Sequence, residues 1–157
     1  MKECVNLKKV TLLLLVAMLS LTFQTTNAQA KLTEAEDKFI QTITKDFIGT
    51  HNINLSGYNF FDMRETYQKK DNLTTEEVSL TDISMDIAKE QSFVDCSPIF
   101  FIDETNNRGY VLEKKLSGMN NLYILSYDST NKEWEITKKI NKMVKDLVDL
   151  GLVEGTE

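Results

Sequence analysis

The fold is decided by residues 98–150, which have the sequence PIFFIDETNNRGYVLEKKLSGMNNLYILSYDSTNKEWEITKKINKMVKDLVDL. Four runs within it, at 98–102, 110–112, 122–127 and 133–136, are rich in aromatic and branched residues or alternate with charged ones, which is typical of strands. Short polar turns separate the runs, and the first turn ends at Gly109, which tolerates a positive φ. Because parallel strands need long crossovers, these links predict an antiparallel meander of about four strands.

A helix is predicted to follow the last strand. Thr137 is a suitable N-cap, and Gly151 stands where a left-handed C-cap residue is favoured. The apolar residues between them follow the i, i+3, i+4, i+7, i+8 spacing of a single stripe: Ile140, Met143, Val144, Leu147 and Val148. We therefore expect a C-terminal helix with its apolar side on the sheet.

A second amphipathic helix is predicted over residues 31–48. Thr33 and Glu36 match a capping box, in which each side chain accepts a bond from the other residue's backbone amide, and Gly49 is expected to end the helix. The apolar face consists of Ala35, Phe39, Ile40, Ile43 and Phe47. The sequence thus predicts an α+β fold, with the N-terminal and C-terminal helices side by side on one face of the sheet.

Residues 53–92 carry competing patterns. Tyr58, Phe60 and Phe61 fit a strand or an apolar loop. The segment 74–77, TTEE, is another capping-box candidate, but the apolar residues after it alternate with period two. We expect a helix near residues 82–90, and the alternation leaves a strand before it open.

Residues 1–30 have the pattern of an export signal. A basic start precedes an apolar segment, 10–23, that is too short for a membrane-spanning helix, and Ala28-Gln29-Ala30 predicts cleavage after Ala30. A retained membrane anchor is the alternative, and Cys4 lies on the wrong side of the apolar segment for a bacterial lipid anchor. The leader resembles those of Bacteroidetes exported proteins, so we expect a periplasmic or extracellular protein.

Removal of the leader leaves residues 31–157, a length that suits a single domain. The leader holds three Lys and one Glu, so its loss changes the net charge from −6 to −8. An acidic surface argues against nucleic acid and anionic membranes as partners, because both are bound mainly through Lys and Arg. It is compatible with a basic protein partner.

The mature chain lacks the residue sets that most enzymes use. His51 is its only histidine and Cys96 its only cysteine, so a Cys–His pair is the one nucleophilic arrangement open to it. We expect instead a buried thiol, packed near Phe93 and Phe100. The turn 103–109 matches a calcium loop only in part. The sequence therefore predicts no catalytic residue, no metal site and no cofactor.

The predicted strands are apolar on both faces, which bears on function. Leu122 and Ile124 point to one face, whereas Tyr123, Leu125 and Tyr127 point to the other. The middle segment with Phe60 and Phe61 is the expected cover for the second face. An uncovered face would instead be a binding surface, and its candidate residues are Tyr110, Tyr123, Leu125, Tyr127 and Trp134.

The order of Gly109-Tyr-Val-Leu112, a polar turn, Leu122-Tyr-Ile-Leu-Ser-Tyr-Asp128 and an amphipathic helix resembles the end of one known family. This family comprises the propeptides and stand-alone inhibitors of streptopain-type cysteine proteases. The resemblance covers less than half of the mature chain. It implies a non-enzymatic protein that binds and inhibits an enzyme.

Three functions are therefore considered. The first is an exported, non-enzymatic protein-binding module of the enzyme-inhibitor or immunity type. The second is a small-molecule-binding or enzymatic pocket in a cone-shaped fold that resembles the nuclear-transport-factor-2-like group, lined by Tyr110, Tyr123, Tyr127 and Trp134. The third is a structural component of an envelope assembly.

Overall fold

The computed structural model describes residues 32–69, 72–93 and 95–152, all within one compact unit, Leu32–Glu157. The predicted leader, residues 1–30, lies outside the described residues. In chain order the elements are α1 (Glu34–His51), β1 (Asn59–Phe61), α2 (Met63–Lys69), α3 (Thr75–Lys89), β2 (Ile99–Asp103), β3 (Arg108–Lys114), β4 (Met119–Asp128) and β5 (Glu133–Met143). The α+β prediction is confirmed.

The strands form one antiparallel sheet in the order in which they occur along the chain. The meander is therefore confirmed, with five strands where the sequence predicts about four. The additional strand is β1, in which Phe60 lies opposite Phe101 and Phe61 lies opposite Phe100. The residue pattern there fits a strand or a loop equally, and the pairing with β2 decides it.

Gly109 is required for close packing and not for its backbone angle. The positive φ of the β2–β3 turn falls on Asn107, at 54°. Gly109 lies within β3, where an added Cβ would stand 2.9 Å from Ile102 Cδ1 and 3.2 Å from Leu125 Cβ. A side chain at this position would therefore push two neighbouring strands apart.

The predicted C-terminal helix is wrong. β5 continues to Met143, with Ile140 opposite Leu122, and Thr137 is skipped in the pairing at a register shift. β4 presents a long row of backbone donors and acceptors, and pairing with it outweighs the modest helix propensity of these residues. Gly151 has the expected left-handed conformation, with φ 67°, but it ends a turn.

The capping box at the start of α1 is confirmed. The Thr33 side chain accepts a hydrogen bond from the Glu36 backbone amide at 3.2 Å, and Glu36 Oε2 accepts one from the Thr33 amide at 2.7 Å. The expected end at Gly49 is wrong, since the helix continues to His51. Asn52 then takes the left-handed conformation, with φ 54°, which asparagine tolerates better than most residues.

The capping box before α3 is also confirmed, with Thr74 as its N-cap. The helix starts there and includes the predicted segment 82–90 except for Glu90, so the alternative of a preceding strand is wrong. Leu80, Ile83 and Ile87 are buried at helical spacing. The period-two pattern arises because Val78 and Met85, which are 42% and 50% exposed, stand on the solvent side.

The two long helices cover opposite faces of the sheet. α1 packs Ile43 and Phe47 into a cluster with Leu112 and Leu122, whereas α3 packs against the other face. The expectation of two terminal helices on one face is wrong, because the predicted C-terminal helix does not form and the second long helix, α3, lies on the other face. Leu147, from the turns after β5, packs into the cluster on the α1 face instead. The expected cover from the middle segment is confirmed, and α3 supplies most of it.

None of the helices in the described part of the chain has the length and hydropathy that a membrane crossing requires.

Candidate functional site

The sequence-predicted binding residues do not form one exposed surface. Tyr123, Leu125 and Trp134 are buried, because α3 covers their face of the sheet. Tyr127 is half-buried beside the same cluster, whereas Tyr110 lies on the opposite face. The alternative of an uncovered sheet face is therefore wrong for the three buried residues, and a binding role for the five stays a prediction.

Tyr127 and Trp134 nevertheless line an open cleft of about 410 Å³. It lies where the first turns of α3 face the β2–β3 turn, and the two rings are 5.2 Å apart between centroids. Carboxylates, aromatic rings and aliphatic side chains share the lining, which includes Glu76, Glu77, Glu104, Phe61, Leu80 and Ile102. We call this the acidic cleft.

Hydrogen bonds fix two of the carboxylates in the acidic cleft. The Tyr127 hydroxyl donates to Glu76 Oε1 at 2.7 Å, which lowers the pKa of Glu76 and raises the pKa of Tyr127. Lys69 forms an ion pair with Glu77, and the bond that its ammonium group donates is the main cause of the lowered pKa of Glu77. Glu104 is exposed and forms no ion pair within the described residues.

A larger cleft of about 720 Å³ lies beside β1, between α1, α2 and the C-terminal half of α3. Its lining is mostly apolar and includes Phe39, Ile40, Phe60, Phe61, Tyr67 and Pro98. Phe60 and Tyr67 are 37% and 52% exposed, so two aromatic rings face solvent here. We call this the apolar cleft, and Phe61 lines both clefts.

Arg64 is the basic group of the apolar cleft. Its guanidinium donates to Glu36 Oε1 at 2.8 Å and to Asp62 Oδ2 at 2.6 Å. The bonds to Asp62 are the main cause of the raised pKa of Arg64. These bonds link α1 to the start of α2, so they hold two walls of the cleft together.

The sheet also buries charged residues that sequence reasoning missed. On the α1 face, the fully buried Lys114 lies 3.0 Å from Asp46 Oδ2, to which Asn120 Nδ2 also donates at 2.7 Å. On the α3 face, the fully buried Glu113 accepts hydrogen bonds of 2.7 Å from Asn121 and Tyr123. Burial is the main cause that raises the pKa of Tyr123 to about 12. The only sequence signal for the buried Lys114 and Glu113 is that each is a charged residue next to the apolar residues of a predicted strand.

Cys96 and His51 do not form a catalytic pair. Cys96 is buried, as predicted, and burial raises the pKa of its thiol to about 11. Its expected neighbours are wrong, because Phe93 is fully exposed and Phe100 belongs to the cluster on the other face. The His51 ring stacks on the Phe47 ring, with 5.4 Å between the ring centroids, and burial lowers the pKa of His51. Neither ring nitrogen of His51 has a hydrogen-bond partner in the described part of the chain.

The turn that matches part of a calcium loop is held by its own side chains. Asp103 accepts hydrogen bonds from the backbone and the side chain of Asn106, at 3.1 and 2.6 Å. Over residues 32–69, 72–93 and 95–152, no three His, Cys, Asp or Glu residues are grouped so that they could hold a metal ion.

Comparison with protein-family models, curated proteins and solved structures finds no match for this chain. The resemblance to streptopain-type propeptides and inhibitors stays a prediction.

Proposed function

We propose that this chain is an exported, non-enzymatic module that binds another protein in its apolar cleft. The observation that carries the proposal is the pair of exposed aromatic rings, Phe60 and Tyr67, in a largely apolar cleft of about 720 Å³. Aromatic side chains that anchor a partner in a pocket supply much of the binding energy at protein interfaces. The occupant is an apolar segment of another protein.

The walls of the apolar cleft are pre-organised. The Phe60 ring makes an edge contact with the Phe101 ring, with 6.2 Å between the ring centroids. The hydrogen bonds that Arg64 donates to Glu36 and Asp62 connect α1 to the segment that follows β1. A cleft that is already formed costs a partner less ordering entropy than one that must assemble on binding. Export is supported by the leader, and the inhibitor or immunity role by the resemblance described above.

Pull-down from periplasm or culture supernatant tests the proposal. The exported protein should recover a stoichiometric partner, and Tyr67→Glu or Phe60→Glu should abolish recovery by placing an unpaired charge in the apolar contact. Met143→Glu is the matched control, because Met143 is 64% exposed on β5, outside the cleft. Circular dichroism of each variant verifies folding. Failure to recover a stoichiometric partner, or equal recovery by all variants, would contradict the proposal.

Binding of a small molecule in the acidic cleft is the second candidate. It is favoured by Tyr127 and Trp134, two of the residues that the sequence nominates, which line this cleft. The volume of about 410 Å³ falls within the range of ligand sites. Saturable binding of a neutral metabolite of the periplasm, lost on Tyr127→Ala, would support this candidate over the first.

A further inference from the structure

We infer that the acidic cleft receives an arginine or lysine side chain of the bound partner. This inference rests on the proposed protein-binding function and adds the chemistry of the partner. It follows from the charge of the cleft, its aromatic lining and its position next to the apolar cleft.

The charge of the acidic cleft favours a cation. Lys69 pairs with Glu77, and Lys132 lies near enough to Glu76 to lower its pKa, but Glu104 has no ion pair within the described residues. The whole chain carries a net charge of −6, which attracts a basic partner over longer distances. A basic side chain would complete the pairing of these carboxylates.

The start of α3 disfavours an anion as the ligand of this cleft. The Thr74 amide donates to Glu77 Oε2 at 3.0 Å, and the Glu77 amide donates to Thr74 Oγ1 at 3.2 Å. The Val78 amide donates to the Thr74 carbonyl at 2.9 Å. These three amides are therefore not free to bind an anion at this helix N-terminus, and the side chains of Glu76 and Glu77 would repel one.

The aromatic lining suits a cation on an aliphatic stem. Tyr127 and Trp134 are tilted by 50° relative to each other, and Phe61 completes the aromatic lining. The face of an aromatic ring attracts guanidinium and ammonium groups, and the methylene stem of Arg or Lys packs on apolar surface. Leu80 and Ile102 also line the cleft, and the small exposed part of each is apolar surface for such a stem.

The position of the cleft assigns the cation to a protein. Phe61 lines both clefts, so a chain segment seated in the apolar cleft passes directly beside the acidic one. A basic residue in such a segment would lie next to the acidic cleft, which Glu104 lines, while its neighbours occupy the apolar cleft. A free amine would gain nothing from this adjacency.

Fluorescence of Trp134 tests the inference, because Trp134 is the only tryptophan of the chain and lines the cleft. The probes are the peptide acetyl-Leu-Phe-Arg-Leu-amide, the same peptide with citrulline in place of arginine, and butylammonium chloride. We expect a saturable change with the arginine peptide and at least about tenfold weaker binding of the citrulline peptide. Glu104→Gln should weaken the arginine peptide about fivefold, whereas Glu34→Gln, an equal charge change on α1, should leave its affinity unchanged.

Three results would overturn the inference. Equal affinity for the citrulline peptide would show that the cleft selects a neutral ligand, and the lack of a saturable response to the arginine peptide would show no cation site. Butylammonium binding as tight as that of the arginine peptide would remove the assignment to a protein side chain. Since the titration uses synthetic probes, its failure is distinct from failure of the pull-down that tests the proposed function.

Discussion

Tyr127 and Glu76 join the sheet to α3 through a single hydrogen bond of 2.7 Å at the edge of the acidic cleft. Near them, the Trp134 amide donates to Ser79 Oγ at 2.9 Å, which links β5 to the same helix. The two bonds hold the aromatic side of the cleft against its carboxylate side. The cleft therefore depends on contacts between residues about fifty positions apart in sequence.

Tyr127→Phe should destabilise the protein in a pH-dependent way. The Tyr127 bond holds the pKa of Glu76 below its ordinary value of 4.5, so its contribution to stability is present above pH 4.5 and is lost as pH falls through the lower folded-state pKa. The pKa of Tyr127 is raised above its ordinary value of 10.0, so the contribution is also lost as pH rises through that raised pKa.

Urea denaturation of wild type and Tyr127→Phe across the pH range measures this effect. The difference in the free energy of unfolding should be constant near neutral pH and shrink at both extremes. Tyr67→Phe is the control, because the Tyr67 hydroxyl bonds Ser84 and not a carboxylate. A difference for Tyr127→Phe that does not change with pH would mean that this bond is absent in solution.

Lys114→Met should destabilise the fold by about 3–5 kcal/mol, the cost of removing one partner of a buried ion pair. Lys114 is fully buried and the Asp46 side chain is 11% exposed, so the remaining carboxylate would lose its cation inside the protein. Chemical denaturation measures the loss. Adding Asp46→Asn should recover part of it, while the exposed control Lys138→Met should change stability little. An equally small loss for Lys114→Met would show that the pair forms at the surface.

Leu147→Ala should cost about 2–5 kcal/mol, because Leu147 is buried against α1 and its truncation leaves a cavity. Val148 is 45% exposed, so Val148→Ala should have an effect within about 0.5 kcal/mol. The comparison is made by thermal or chemical denaturation. Equal losses for the two variants would mean that the turns after β5 do not pack on the α1 face as described.

Cys96 should react slowly with iodoacetamide at neutral pH. Its thiol is buried and has a pKa of about 11, so the reactive thiolate is scarce in the folded protein. Mass spectrometry of the mature protein, residues 31–157, in which Cys96 is the only cysteine, follows the labelling. The rate should rise sharply in denaturant. Rapid labelling of the folded protein with loss of function would contradict the non-enzymatic proposal.

The antiparallel arrangement of β2 to β5 could be predicted from sequence because short polar turns join each of these strands to the next. β1 lacked that signal, because α2 and α3 lie between it and β2. The helix start at Thr33 could also be predicted, since a capping box is local in sequence. Thr74 was only a candidate, because the period-two alternation after it left a strand open and the helix was expected near residues 82–90. The segment after Thr137 misled the prediction because its apolar spacing fits a helix, and only the free edge of β4 selects a strand. Local pattern cannot report a non-local partner.

The candidate site could be predicted only in part. The sequence predicts Tyr127 and Trp134 as binding residues because they are aromatic residues of the strands, and both line the acidic cleft. Glu76 and Glu104 come from a helix and a turn that meet the strands only in the folded chain, so the many carboxylates of this sequence gave no reason to single them out. The apolar cleft draws on three helices and β1, which no spacing in the sequence links.

Hydrogen–deuterium exchange of the recovered complex tests the central proposal most directly. We predict that partner binding protects the backbone amides of residues 35–40 and 60–67, which contribute to the walls of the apolar cleft. The edge strand β5 should exchange as it does in the free protein. Protection confined to β5, with residues 35–40 and 60–67 unchanged, would contradict the proposal and place the binding surface at the opposite edge of the sheet.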